Sequence, residues 1–382
     1  MQFSFTPEQN AFQDMARRFC ADKIAPFYKQ RESEGTISRE IRKQMAELGM
    51  IGVELPEEFG GMGLDCVTAG IGAEAVAGAD FSVSYVSLIG SLMGTLMLQH
   101  PDKEVTRRVI GDICSGESLV ALGLTEPRGG SDASNLILKA TKSGNGYILN
   151  GEKTSISLIN QADQIILFAR TGGPGAGGVS AFLVPLNLPG ISRTCFDDVG
   201  SAAVGRGSVF FDDVKIGSDA LMGKEGEGFK LVMNGFDYSR ALIGLQCIGA
   251  ARASLDETWK YVTERTAFGK PIAKYQGVTE PLAEAETLLT AAQLLCYKTL
   301  WLRDQGLPHT SEAAMCKWWA PKTAFDVIHN CIIINGHFAY SKDLPHQQRL
   351  RDVMGLQIGD GTPQIQKMII SREKIGRVAV PY

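Results

Sequence analysis

Asp360 is the residue whose sequence neighbours best suit acid–base chemistry, because it stands between Gly359 and Gly361. Flanking glycines allow a tight turn and let a ligand approach the backbone closely. A carboxylate in such a loop can act as a general base. It can equally cap the helix predicted over 361–376, since helix N-termini favour negative side chains. The local sequence leaves both interpretations open.

Two further segments contain groups that could bind an anionic ligand. Residues 125–132 read Thr-Glu-Pro-Arg-Gly-Gly-Ser-Asp directly after a predicted strand, and glycine N–H groups there could approach an anion or a flat ring. In the segment 265–271, Arg265 and Lys270 could hold phosphates. On local grounds alone, a tight turn and a charged interhelical loop explain these segments better.

Other familiar catalytic patterns have little support. The glycine-rich run at 173–178 formally matches GxGxxG, but a strand-like segment follows it at 179–186, where a dinucleotide-binding loop needs a helix. The five histidines show no metal-ligand spacing, and the eight cysteines contain no CxxC pair. No GxSxG motif is present. We therefore predict neither a metal site nor a hydrolase.

The composition is typical of a large globular protein. The 382 residues are enough for two or three packed domains, with 44% hydrophobic and 21% charged residues. A net charge of −4 gives no reason to expect nucleic acid or an anionic membrane as a partner. Without a signal-like N-terminus, a long apolar run or paired cysteines, we expect a cytoplasmic protein with no membrane span.

The periodicity of apolar residues changes twice along the chain and predicts an α+β architecture of three domains. Residues 1–118 show helical spacing, 119–228 show strands with Asn-Gly turns at 145–146 and 150–151, and 229–382 return to helices. We expect an N-terminal helical domain, a central antiparallel β barrel or sandwich, and a C-terminal four-helix bundle. The strands are predicted at 119–124, 136–142, 147–149, 153–157, 164–170, 179–186 and 207–211.

Taken together and in order, these motifs resemble the acyl-CoA dehydrogenase family over essentially the whole chain. Any one segment is weak evidence, but the ordered set is highly specific. The matching segments are 56–64, 125–132, 151–153, 265–269, 351–352 and 361–365, together with Gln276.

The resemblance implies a homotetramer, a dimer of dimers, that binds FAD non-covalently. In the family, Arg265 and Phe268 would meet the FAD phosphates and adenine from a neighbouring subunit, and Gln276 matches a further cofactor-binding position. The other implied FAD contacts are Leu122, Leu124, Thr125, Gly130 and Ser131 after the first strand, Ser155 and Ser157 beside the ring, and Thr362 and Gln364 on the last helix.

The resemblance also implies the reaction. A base removes the α-proton of a CoA thioester, a hydride leaves the β-carbon for the flavin, and the electrons pass to an electron-transferring flavoprotein. The position of the base matches Asp360, whose backbone N–H would bind the thioester oxygen. The implied substrate-binding residues are Gly90, Ser91, Ser131, Phe236, Ser239, Arg240 and Gly361, with Asp237 beside them on the helix that lines the CoA channel.

The sequence departs from the family at the base itself. The usual residue is a glutamate, and relatives that lack it carry one at the position of Ser239, whereas here both positions differ. Aspartate at position 360 resembles the dehydrogenases of alicyclic thioesters such as cyclohexanecarboxyl-CoA and cyclohex-1-ene-1-carboxyl-CoA, and also the nitroalkane oxidases. We favour the alicyclic branch. A short- or branched-chain acyl-CoA dehydrogenase and a non-catalytic CoA-binding protein remain alternatives.

Overall fold

Six helices form the N-terminal part of the computed structural model, which describes residues 4–379. Local caps explain where two of them begin: Thr6 Oγ1 accepts a hydrogen bond from Gln9 N (3.2 Å), and Ser38 Oγ accepts one from Ile41 N (3.4 Å). Both caps have a local cause, because Thr and Ser are favoured at this position of a helix. The helices are α1 (Pro7–Phe19), α2 (Tyr28–Glu34), α3 (Arg39–Glu47), α4 (Cys66–Ala79), α5 (Phe81–Met97) and α6 (Lys103–Cys114).

The central part is one eight-stranded sheet, mostly antiparallel, in the order β6-β7-β3-β2-β4-β5-β8, with β1 pairing in parallel with β4. β4 and β5 are buried along almost their whole length, so the sheet supplies the core of this part. The strands are β1 (Val120–Gly123), β2 (Lys139–Ser143), β3 (Gly146–Ile156), β4 (Gln164–Arg170), β5 (Val179–Pro185), β6 (Ile191–Cys195), β7 (Gly207–Gly217) and β8 (Leu221–Met222).

The structure confirms the hairpin predicted before 147, with its turn shifted by one residue, and corrects the second Asn-Gly turn. Ser143 pairs with Gly146, so the first turn consists of Gly144 and Asn145, and Gly146 already belongs to the strand. At Asn150-Gly151 the chain does not turn. It continues as β3 with a bulge opposite β7, where Gly151 has φ +137° and a Cβ would lie 3.0 Å from Leu138 Cα.

The C-terminal part returns to helices, which confirms the predicted fold class. β9 (Thr266–Ala267) and β10 (Lys270–Pro271) form a short hairpin after the longest helix. The helices are α7 (Gly228–Glu264), α8 (Gln276–Asp304), α9 (Thr310–Asn335), α10 (His337–Tyr340), α11 (His346–Leu356) and α12 (Pro363–Ile375). Helix α7 packs against α4, α5, α8, α9 and α11, so it joins the two helical parts. No helix in residues 4–379 is long and apolar enough to cross a bilayer.

Candidate active site

Asp360 lies in the short loop between α11 and α12 with φ +53°, a left-handed conformation that is unusual for a residue with a side chain. The helix that follows is capped by Thr362, whose hydroxyl accepts a hydrogen bond from Ile365 N (3.5 Å). The Asp360 carboxylate is therefore not the helix cap. Of the two interpretations that the sequence left open, helix cap and general base, only the general base remains.

The backbone on both sides of Asp360 is held by buried side chains. Gln366 Nε2 donates to Asp360 O (2.9 Å), and Lys317 Nζ donates to Leu356 O (2.6 Å) and Gly361 O (3.3 Å). Among residues 4–379, neither the Asp360 carboxylate nor its backbone N–H has a hydrogen-bond partner. The loop is thus fixed, while the Asp360 carboxylate can still accept a hydrogen bond from a ligand and the Asp360 N–H can still donate one.

The surroundings of Asp360 favour a carboxylate that is more basic than usual. Burial raises the pKa of Asp360, and the positive charges of Lys317 and Arg240 only partly oppose this effect. Arg240 is itself buried, which lowers the pKa of its guanidinium, and it pairs with Asp237 at 2.8 Å. The two cations favour the ionised form of the carboxylate without hydrogen-bonding to it, and so limit the rise in its pKa.

This electrostatic arrangement predicts a pH dependence for the reaction. Only the ionised Asp360 can take a proton, so the rate should fall as the pH drops through a pKa that lies above the ordinary aspartate range. The measurement is kcat/KM for an acyl-CoA between pH 5 and 9. A kcat/KM that stays unchanged down to pH 5, as a base with the ordinary aspartate pKa near 3.8 would give, would contradict the burial of the base.

Side chains expected at the acyl and CoA groups lie on α7 and α5. Phe236 and Arg240 are one helical turn apart, with the guanidinium 5.8 Å from the centre of the aromatic ring. Both Ser239 Oγ and Arg240 Nε are buried and have no partner among the described residues, so they are free to meet a ligand. On α5, Gly90 and Ser91 are buried.

Ser91 has a neighbour that the sequence did not suggest. Its hydroxyl donates to Glu54 Oε2 at 3.1 Å. Burial raises the pKa of this glutamate, against the effect of its hydrogen bonds and of Arg303. The Ser91 hydroxyl is therefore already engaged before any ligand binds.

The segment after β1 is fixed by a buried ion pair. Lys153 Nζ donates to Leu124 O (3.0 Å) and to Glu126 Oε1 (2.8 Å). The side chains of Lys153 and Glu126 are both almost fully buried. The Glu126 carboxylate also accepts the N–H groups of Ile137 (2.7 Å) and Leu138 (2.8 Å). Glu126 thus has a structural role and leaves the rest of the segment to form a site.

The remaining residues of this segment suit a flat ligand that carries phosphates. Gly129 (φ +153°), Gly130 and Ser131 are exposed, and a Cβ at Gly130 would come within 3.3 Å of Thr125 Cγ2, so glycine keeps the space beside Thr125 open. Leu122 is half-buried and Leu124 is buried beneath the segment. This open, glycine-lined segment therefore fits the flavin that the family resemblance implies.

The models of the acyl-CoA dehydrogenase N-terminal, middle and C-terminal domains match residues 6–117, 121–214 and 226–375. The chain belongs to the acyl-CoA dehydrogenase family. It is accordingly an FAD-dependent oxidoreductase that acts on CH–CH bonds.

Relatives of this acyl-CoA dehydrogenase carry several activities. It is 34% identical over 376 residues to the benzylmalonyl-CoA dehydrogenase of Aromatoleum aromaticum, covering 98% of this chain and 99% of the relative. It is 32% identical over 371 residues to a subunit of the caffeyl-CoA reductase–Etf complex of Acetobacterium woodii, covering 96% and 98%.

Solved structures agree with this assignment. The butyryl-CoA dehydrogenase of Megasphaera elsdenii superposes with a TM-score of 0.94 at 31% identity, covering 98% of this chain and 100% of that one. PigA with FAD and proline superposes with a TM-score of 0.94 at 26% identity, covering 99% and 100%.

The predicted cofactor-binding residues of this dehydrogenase lie in separate groups along the chain. The first is continuous with the β domain: β3 carries Ser155 (φ +59°) and leads to Ser157, and Thr154 N donates to Thr125 O at 2.9 Å. Thr362 and Gln364 begin α12, beside the Asp360 loop.

The second group is the hairpin between α7 and α8. Phe268 at its tip is 95% exposed with φ +51°, and Arg265 and Gln276 are also exposed. The hairpin is stiffened by Tyr275, whose hydroxyl donates to Ala267 O at 3.0 Å. This aromatic tip is therefore open to solvent in this chain.

The sequence analysis missed Lys317 and the Glu126–Lys153 ion pair. Lys317 had a detectable signal, because it lies at helical spacing from Ala313, Ala320 and Ala324, which form a buried stripe on α9. A lysine on an apolar stripe needs a partner. No comparable local signal joins Glu126 to Lys153, since the two are 27 residues apart. Within residues 4–379, no three His, Cys, Asp or Glu side chains are placed to share a metal ion.

Proposed function

We propose that this dehydrogenase removes the α-proton of a CoA thioester with Asp360. The observation that carries the proposal is a partly buried carboxylate on a fixed loop, unpaired among the described residues and of raised pKa, next to its own free N–H group. The carboxylate takes the proton, and the N–H group stabilises the charge that develops on the thioester oxygen. FAD, when bound, accepts the hydride that leaves the β-carbon.

We further propose that the substrate is an alicyclic acyl-CoA, such as cyclohexanecarboxyl-CoA or cyclohex-1-ene-1-carboxyl-CoA. Aspartate is shorter than glutamate by one methylene, about 1.5 Å. A straight acyl chain seated for glutamate would leave its α-carbon too far away, and a displacement near 1 Å can cost about 100-fold in rate. A ring places the α-carbon differently, and the name of the benzylmalonyl-CoA dehydrogenase relative indicates that this family accepts ring-bearing thioesters.

The substrate proposal is tested by lengthening the side chain of the base at position 360 by one methylene. Wild-type enzyme and Asp360→Glu are assayed for kcat/KM with cyclohexanecarboxyl-CoA and butyryl-CoA. We expect the wild type to prefer the ring and Asp360→Glu to shift the ratio towards butyryl-CoA by about tenfold or more. A wild type that acts on butyryl-CoA alone would refute the alicyclic assignment, and activity on nitroethane would point to the nitroalkane-oxidase alternative.

For the cofactor, we propose contacts from two subunits of a homotetramer. Leu122, Leu124, Thr125, Gly130, Ser131, Ser155, Ser157, Thr362 and Gln364 would hold the flavin from one subunit, and Arg265, Phe268 and Gln276 would reach it from the next. The exposed tip at Phe268 supports this arrangement, because an aromatic side chain so open to solvent is typical of an interface. Large exposed apolar side chains also lie on α8, α9, α10 and α12: Leu294, Trp301, Ile333, Phe338, Tyr340 and Ile375.

For the substrate, we propose that Gly90, Ser91, Phe236, Ser239 and Gly361 surround the acyl thioester, and that Ser131 and Arg240 contact it from either side. The free Ser239 Oγ and Arg240 Nε support this proposal. As electron acceptor we propose an electron-transferring flavoprotein, as the name of the Etf-complex relative suggests.

A further inference from the structure

Lys317 is a buried cation that no step of the proposed reaction uses directly. It lies in the middle of α9 and is 1% exposed, although a lysine is almost never buried without compensation. Burial lowers its pKa to about 8, so it still carries its charge at neutral pH.

Its hydrogen bonds connect the two ends of one loop. Leu356 O, which accepts at 2.6 Å, is the last carbonyl of α11, and Gly361 O, which accepts at 3.3 Å, directly follows Asp360. Carbonyls at a helix C-terminus lack partners within the helix and carry partial negative charge. One nitrogen therefore fixes both ends of the segment 357–360.

We propose that Lys317 is a positioning residue for the reaction: its ammonium ion fixes the loop that carries Asp360 and places a positive charge beside the base. This inference rests on the proposed role of Asp360. Lys317 touches neither substrate nor flavin in this assignment, and it acts through the carboxylate and the backbone next to it.

The electrostatic surroundings agree with this role. Lys317 and Arg240 both lower the pKa of Asp360 against the larger effect of burial, and Asp360 in turn raises the pKa of Lys317. Gln366, which binds the same backbone from α12, carries no charge. Beside Lys317 and Asp360, the titratable groups in electrostatic contact with this pair are Arg240 and Cys247 on α7 and Tyr85 on α5, whose pKa is raised by burial and by charges that include Asp360.

The test is the pH profile of flavin reduction in the FAD-loaded Lys317→Met enzyme with a saturating acyl-CoA. Losing the neighbouring charge should move the acidic limb to higher pH, so that the rate at a pH on that limb falls about tenfold or more relative to the rate at pH 9. Lys322→Met is the control, because Lys322 lies on the same helix but is exposed and pairs only with Asp326. Its profile should match the wild type.

A purely structural lysine gives a different result. If Lys317 only capped the C-terminus of α11, Lys317→Met would lower the stability of the protein and leave the acidic limb of the pH profile unmoved. That result would overturn the inference. An Asp360→Asn enzyme that still reduces its flavin rapidly would instead refute the proposed function, so the two failures are distinguishable.

A second variant covers the case in which Lys317→Met does not fold. Removing this cation weakens the charge compensation of the Asp360 carboxylate, which then depends on Arg240, so Lys317→Met/Asp360→Asn should recover part of the lost thermal stability. A double variant no more stable than Lys317→Met would overturn the inference, because the two side chains would then not be coupled.

Discussion

Replacing Asp360 by asparagine should lower the rate of flavin reduction by about 10²- to 10⁴-fold, the usual contribution of a general base. Asparagine has nearly the same size, so the loop held by Lys317 and Gln366 should keep its conformation. The amide cannot accept the proton. Anaerobic mixing with an acyl-CoA, followed by the loss of flavin absorbance, measures the step directly.

Binding measurements separate this effect from damage to the site. We expect the Asp360→Asn enzyme to contain as much FAD as the wild type and to bind the thioester with similar affinity. Asp343→Asn, at an exposed aspartate before α11, is the matched control and should reduce its flavin at the wild-type rate. A rapid reduction in Asp360→Asn would mean that another group takes the proton.

Replacing Lys153 by methionine should destabilise the protein by about 3–5 kcal/mol, since it leaves Glu126 buried without its partner. Burial alone would raise the pKa of Glu126, but Lys153 and two N–H groups lower it overall, so the carboxylate is ionised in the folded protein. The segment after β1 should also loosen, because Lys153 holds Leu124 O. Chemical denaturation and the retained FAD measure the two consequences.

Two comparisons make this prediction specific to the buried charge. Lys142→Met removes an exposed ion pair between β2 and Glu225 and should cost far less stability than Lys153→Met. Lys153→Met/Glu126→Gln removes both charges and keeps one carboxamide oxygen, which can accept from Ile137 N or Leu138 N, so it should regain part of the loss. Equal costs for Lys142→Met and Lys153→Met would show that the buried pair has no special role.

Features with a local cause could be predicted from the sequence. Thr6 and Ser38 begin helices because their hydroxyls bond to N–H groups three residues further on. The strand that follows the glycine-rich run at 173–178 was also predictable, because the apolar residues of β5 continue directly from it. The loop at Asp360 was recognisable from its two glycines. The hydrogen bonds from Lys317 and Gln366 that fix this loop were not predictable from its local sequence.

Features that depend on distant partners could not be predicted. Asn150-Gly151 has the sequence of a turn, yet pairing with β7 and contact with Leu138 make it a bulge inside a strand. β6 was missed because its residues are largely exposed and lack an apolar alternation. Lys317 is joined to Gly361 across 44 residues, so its role is visible only in the fold.

Proton abstraction by Asp360 can be measured without hydride transfer. Phenylacetyl-CoA has acidic α-protons but no hydrogen on its β-carbon, so in D2O an active base should exchange those protons while the flavin stays oxidised. We expect the wild type to catalyse the exchange, followed by NMR, and Asp360→Asn to be slower by about 10²-fold or more, with binding checked by the change in flavin absorbance. Exchange at equal rates in both enzymes would show that Asp360 is not the base.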